Sequence, residues 1–153
     1  MTTAAPRRFL LAFATIFKQE NSYLREWIEY HRLVGVEHFY LYDNDGGAEA
    51  KDLLQPYVDA GVVTRHPWTQ LDGTRHDRAT PFGQRNKNHM AFAHAAQHYR
   101  SDAQWIMKID VDEFLVPSGG DSLRPALEAL DTRRWKGVRI PRWNFGSNGH
   151  VAP

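Results

Sequence analysis

The chain has 153 residues, enough for one domain with a real core, and 42% of them are apolar. Its 19 basic and 18 acidic residues nearly balance, which argues against a general nucleic-acid or membrane-surface binder. With no cysteine, disulfides and thiolate metal sites are excluded.

Residues 1–8 read as a flexible N-terminal segment. Arg7-Arg8 followed by the apolar run Phe9 to Phe17 has the outline of a signal peptide. No small-residue cleavage site follows, however; the run meets Lys18-Gln19-Glu20 and an amphipathic helix. No apolar run approaches the roughly 20 residues that span a bilayer. A soluble, cytoplasmic chain without a transmembrane segment is expected. Phe9 to Phe17 is then a buried parallel strand, too short for a helix of its own.

Asn21 or Ser22 is placed to cap the next helix, from Tyr23 to about Val34, with Gly35 at its stop. Leu24, Trp27, Ile28, His31 and Val34 fall on one stripe at helical spacing, so His31 reads as a hydrogen-bonded core histidine. A second strand, His38 to Tyr42, runs into Asp43-Asn44-Asp45-Gly46-Gly47. Turn formation alone explains such a sequence, and Asp43, the first residue past the strand, is its best functional candidate. Ala48 to Ala60 reads as a second helix ending at Gly61 despite Pro56, and Val62-Val63-Thr64 begins a third strand that Pro67 closes. Thr69 to Gly83 is polar and aperiodic, a connection long enough to suggest a loop that orders over a ligand.

Gln84 to Tyr99 is the third helix, with an inward stripe drawn through Phe92, Ala95, Ala96 and Tyr99. Extended backwards, that stripe carries Asn88 and Gln84, amides where apolar side chains are expected. Buried amides need partners, and a phosphate-bearing ligand at the helix N-terminus would supply them. His94 and His98, spaced i and i+4, lack the glutamate of a HExxH zinc site and read as surface residues.

Trp105 to Pro117, WIMKIDVDEFLVP, organises the rest. An apolar run ends in Asp110-Val111-Asp112-Glu113, and unpaired carboxylates in an apolar surround are strongly disfavoured. The run therefore reads as a central strand delivering carboxylates to its C-terminal end, where open α/β sheets place ligands. There Asp-x-Asp either holds a hard divalent cation or caps a turn and pairs with nearby Arg and Lys. Asp121-Ser122 is then placed to cap a helix through Leu130, and Gly137 to Ile140 reads as a fifth strand.

Strands alternating with helices predict an α/β fold with a mostly parallel sheet. Lys18 to Glu20, Asp43 to Asp45 and Asp110 to Glu113 would then share one sheet edge, strands there lying about 4.8 Å apart. Neither a P-loop nor a Gly-x-Gly-x-x-Gly fingerprint is present, which argues against P-loop and dinucleotide enzymes.

Lys18-Gln19-Glu20, Tyr23 to His31, Gly35, His38-Phe39-Tyr40 and Tyr42-Asp43-Asn44 together resemble the opening of family 2-like and family 92 glycosyltransferases. Gln84, Trp105, Asp110 to Leu115 and Phe145-Gly146-Ser147 continue the resemblance in order, so it covers nearly the whole chain from Phe9. It implies a GT-A fold over residues 9–153 and transfer of a sugar from a nucleotide-sugar donor, a UDP-sugar, to a glycan or polysaccharide acceptor. It also implies that Asp110 and Asp112 form the metal motif, Asp112 ligating Mn²⁺ or Mg²⁺ and Asp110 contacting ribose or metal. Glu20 and Asp43 would contact the nucleoside, with Asn44, Gln84 and Asn88 in the same donor-binding set. One departure is Gln19, where the family usually has Asn. No catalytic base is assigned beyond Glu113 beside the motif. In similar inverting enzymes the base comes later, and the chain stops at Asn148 to Pro153 without a closing element, so it reads as the front part of a longer catalytic domain. Two other readings stand beside this one. The first is a noncatalytic nucleotide-sugar or carbohydrate-binding module. The second is an aspartate-nucleophile phosphatase, from which Phe114 departs.

Overall fold

The computed structural model describes residues 7–44, 47–69 and 87–145. Four strands, β1 (Phe9–Phe17), β2 (His38–Asp43), β3 (Val63–Pro67) and β4 (Ala103–Lys108), form one parallel sheet in the order β3-β2-β1-β4. The helices are α1 (Asn21–Leu33), α2 (Ala48–Asp59), α3 (Lys87–His98) and a short α4 (Arg124–Glu128). This is the α/β architecture expected of a GT-A-like domain.

Both sheet faces are covered, which is why β1 and β2 read as nearly continuous apolar runs. Alternate residues Leu11, Phe13 and Phe17 of β1, with Phe39 and Leu41 of β2, pack against Leu24, Trp27 and Ile28 of α1 and Ala50 and Leu54 of α2. The opposite residues Ala12, Ala14, Tyr40 and Tyr42 meet Ala91 and Ala95 of α3. Alanine facing alanine lets α3 approach the sheet closely. The order in which strands are added reverses at β1. From there β2 and β3 lie to one side and β4 to the other, with the covering helices changing face. A crevice at the carboxyl ends of β1 and β4 is where such sheets bind ligands.

Several expectations are corrected here. The run beginning at Trp105 is an edge strand among the described residues, not a central one. Gly137 to Ile140 forms no strand: Val138 and Ile140 are about half exposed, with no ladder partner among the described residues. A β-prone run becomes a strand only where a neighbour takes its backbone groups. Neither Asn21 nor Ser22 caps α1, whose N-cap is Glu20 without a side-chain cap bond. The Ser122 hydroxyl does accept from the Arg124 amide at 3.2 Å, but α4 stops at Glu128 rather than Leu130. The α3 stripe is rotated from its expected position. Ala91 and Ala95 are buried and Ala96 is exposed, because alanine's weak apolar signal blurs the phase of the pattern. His94 is not a surface residue. It is partly buried, and its Nδ1 lies 2.9 Å from the Tyr42 hydroxyl in an aromatic cluster with His66 and Trp68. His98 is exposed as expected.

His31 is the hydrogen-bonded core histidine its stripe implied, fully buried. Nε2 accepts from the Leu115 amide at 3.0 Å, so Nδ1 carries the proton and donates to the Trp27 carbonyl at 2.8 Å. The neutral ring satisfies both ends.

Candidate functional site

Three strand ends build one cleft of about 450 Å³. Ile16, Phe17, Lys18 and Glu20 come from the end of β1, Asn44 from the end of β2, Lys87 and Asn88 from the first turn of α3, and Asp110, Val111 and Asp112 from the segment after β4. Glu20, Asn44, Asn88, Asp110 and Asp112, singled out in the sequence, are thus brought together. Gln84 and the loop expected over Thr69 to Gly83 lie outside the described residues, apart from the loop's first residue. A larger groove of about 980 Å³ follows β4 and the segment from Leu115 to Ile140. It holds none of the carboxylates at issue.

Asp43 is placed differently. It is the last residue of β2, fully buried, and its carboxylate accepts from Arg65 Nε at 2.9 Å and Nη2 at 2.6 Å. Arg65, on the neighbouring strand β3, was not anticipated. The parallel register sets Asp43 opposite Pro67 and Leu41 opposite Arg65, and only this pairing shows that the arginine reaches back to the carboxylate. A buried carboxylate needs such a partner.

The acidic turn is held from behind. The Asp110 carbonyl accepts from the Glu113 amide at 3.0 Å, and Glu113 Oε2 accepts from the Asp110 amide at 3.1 Å, closing the turn on itself. Trp27 Nε1 donates to the Glu113 carbonyl at 2.8 Å, and Arg142 Nη1 lies 2.8 Å from Glu113 Oε1. The Thr15 hydroxyl, buried in β1, donates to the Ile109 carbonyl at 2.8 Å and fixes the end of β4 beside β1. Val111 is buried while Asp112 on its far side is exposed, so the apolar residue anchors the turn and the acids face the cleft. Both Glu113 oxygens are engaged, and its geometry is that of a residue that shapes the turn. Trp27 and His31 looked purely structural in the sequence, and Thr15 was only one residue of a buried strand. Their spacing placed them in the core but not against the motif.

The carboxylates crowd one another. Burial foremost, then the negative charges of Asp112 and Asp110, hold Glu20 above the usual carboxylate range, although its bond from the Lys18 amide works the other way. Lys108 approaches Asp110 at 3.5 Å and offsets part of that charge. Converging hard oxygen donors suit Mn²⁺ or Mg²⁺. Among the described residues no group of three or more His, Cys, Asp or Glu side chains is placed to enclose a metal. A cation bound by one or two carboxylates, with phosphate and water completing the shell, is the usual Mg²⁺ arrangement.

Gln19 sits between Lys18 and Glu20 with φ of 58°, the one non-glycine among the described residues in the left-handed region. A side chain there is strained, and the conformation persists only where the surrounding structure over-determines it. Asparagine tolerates this region better than glutamine. Gln19→Asn is expected to raise the melting temperature slightly. Gln19→Val should cost about 1–3 kcal/mol, since a β-branched side chain fits this backbone worst. Thermal melts of the two variants check the order, and equal melts would mean that position 19 carries no strain.

The model of glycosyltransferase family 92 matches residues 7–145. The chain belongs to glycosyltransferase family 92. A family 92 protein of Ricinus communis is 32% identical over 154 residues, covering 93% of this chain and 24% of the relative. A family 92 protein of Oryza sativa subsp. japonica is 27% identical, over 92% of the chain and 22% of the relative. A galactan beta-1,4-galactosyltransferase of Arabidopsis thaliana is 32% identical, over 71% of the chain and 20% of its own length. The family 92 chain thus spans about a quarter of the length of the curated relatives it matches. No solved structure matches it. Among its described residues no helix is long and apolar enough to cross a membrane.

Proposed function

We propose that this chain forms the donor-binding part of a metal-dependent glycosyltransferase that moves a sugar from a nucleoside-diphosphate donor, a UDP-sugar, to a glycan or polysaccharide acceptor. The observation that carries this reading is the convergence of Asp110, Asp112 and Glu20 at the crevice between β1 and β4, within one cleft with Lys18, Lys87 and two amides. Membership of family 92 supports glycosyl transfer as the reaction. Similarity to galactan galactosyltransferases supports a hexosyl donor and a polysaccharide acceptor.

Asp110 and Asp112 would hold the Mn²⁺ or Mg²⁺, with Glu20 close enough to feel their charge. Bound there, such a cation supplies Lewis-acid stabilisation of the diphosphate leaving group. The chain's own residues orient the donor. Asn44 and Asn88 offer amides to the nucleoside and phosphates. Val111 and the Trp27 bond hold the acidic turn at a set height above the sheet. In the transfer, the bond from the anomeric carbon to the phosphate oxygen breaks and its electron pair stays with the diphosphate. The acceptor oxygen bonds the anomeric carbon and its proton passes to a base. Glu113 is engaged by Arg142 and the Asp110 amide, so its part is to shape the turn.

Calorimetric titration of UDP into the purified chain tests the reading. Binding is expected with Mn²⁺, and Asp112→Ala or EDTA should weaken it about tenfold or more, the worth of one lost charge-assisted contact. Equal affinity with Mn²⁺ and with EDTA in a well-folded sample would overturn the metal site. Absence of any nucleoside-diphosphate binding would overturn the donor site altogether.

A further inference from the structure

The carboxylates of the cleft have two basic neighbours, of which the sequence singled out Lys18 but not Lys87. Lys18 leaves the end of β1 and Lys87 opens α3, and both line the cleft that Asp110 and Asp112 line. They come from elements 69 positions apart in the chain, and the sheet brings them together. Lys87 is partly buried, and its Nζ donates to Asn44 Oδ1 at 3.1 Å, which fixes the ammonium above the end of β2. Burial first, and then the positive charge of Lys18, hold Lys87 below the usual lysine range. The two ammonium groups are therefore near enough to repel. Both line one open cleft, so a polyphosphate seated in it would meet two positive charges from separate elements.

The chemistry of the anion follows from the composition of the cleft. Carboxylates alone would collect a cation and lysines alone a simple anion. A cleft carrying both suits an anion that arrives with a divalent metal. A nucleoside diphosphate remains anionic after one divalent cation has bound, so charge is left for side chains to neutralise. Lysine is a point charge without the planar demand of arginine, and it suits a phosphate whose charge shifts among its oxygens.

We propose that Lys18 and Lys87 form a cationic clamp on the diphosphate of the donor, complementing the metal held by Asp110 and Asp112. This rests on the donor-site reading above and adds to it a second, metal-independent source of diphosphate affinity. Donor binding then depends on ionic strength as well as on metal, because part of it is charge attraction at an open cleft.

The test is titration of UDP, and separately of inorganic pyrophosphate, with Mn²⁺ into the wild-type chain and its Lys18→Gln, Lys87→Gln and Lys87→Arg variants. Lys87→Gln should weaken both ligands about tenfold or more, and Lys18→Gln, an exposed side chain whose loss leaves the core intact, several-fold. Lys87→Arg should recover most of the affinity, which a purely structural role through Asn44 would not require. Thermal melts of each variant accompany the titrations. If the wild-type chain binds UDP with Mn²⁺ and both glutamine variants bind within twofold of it, the clamp is wrong while the donor site stands. Loss of binding in Lys87→Gln alone, with a matching loss of thermal stability and no rescue by arginine, also overturns the clamp. No binding of UDP or pyrophosphate by the wild type overturns the donor site and the clamp together.

Discussion

Trp27→Ala is expected to lower the free energy of unfolding by about 3–5 kcal/mol, the range for removing a large aromatic side chain from a packed core. Trp27 is 0% exposed and sits among Phe13, His31 and Phe39, with ring centroids 5.6, 4.7 and 5.5 Å away. Its neighbours belong to β1, α1 and β2, so no single element can move to fill the hole. The substitution also removes the indole donor from the Glu113 carbonyl, one of the bonds that hold the acidic turn. Trp27→Phe separates the two effects. It keeps most of the packing, should cost about 1–2 kcal/mol for the lost hydrogen bond and leave the orphaned carbonyl, and should weaken Mn²⁺-dependent UDP binding several-fold. Urea denaturation gives the stabilities and calorimetry the affinities. Unchanged UDP affinity in a folded Trp27→Phe chain would show that the indole bond does not position the motif.

Acid is expected to destabilise the fold well before the carboxylates alone would do so. Burial pushes His31 and His38 down to about 4, and burial together with the charges of His94 and His98 does the same to His66. Each of these folded-state values lies below the unfolded value of about 6.5. The folded chain therefore binds fewer protons than the unfolded chain as pH falls. The stabilisation is fully present above about pH 6.5, declines through the window from 6.5 to 4, and is gone below 4. One pKa unit corresponds to about 1.4 kcal/mol, so fully buried His31 is worth about 3 kcal/mol across that window. His38 is nearly as buried: its ring nitrogens meet the Gly61 carbonyl at 3.1 Å and the Thr64 hydroxyl at 2.8 Å. Together the two are comparable to the lower end of the stability of an ordinary domain, about 5–15 kcal/mol. Urea midpoints at pH 7, 5.5 and 4.5 measure the slope. His31→Gln, which keeps a donor and an acceptor but does not titrate, should flatten it. The same slope in that variant would remove His31 from the account.

The main elements were legible because their signals are local. Phe9–Phe17 is too apolar and too short for anything but a buried strand, and the stripe from Leu24 to His31 has one helical phase. The acids after β4 stood out for a related reason: three carboxylates within four residues at the end of an apolar run need partners, whether in a turn or in a ligand. What local signals cannot carry is partnership. Among the described residues, Gly137 to Ile140 has the composition of a strand but no neighbour to complete its hydrogen bonds, and β4 is an edge, because strand order is a matter of which strands lie side by side. Asp43 and Asp110 look alike in sequence, each following an apolar run. One is sealed against Arg65 and the other opens into the cleft, and only their neighbours distinguish them. Lys87 was passed over because a lysine at a helix start is unremarkable until the sheet brings Lys18 beside it. Residue type and spacing decide which groups need partners, while the partners come from remote parts of the chain, set by how the sheet is ordered.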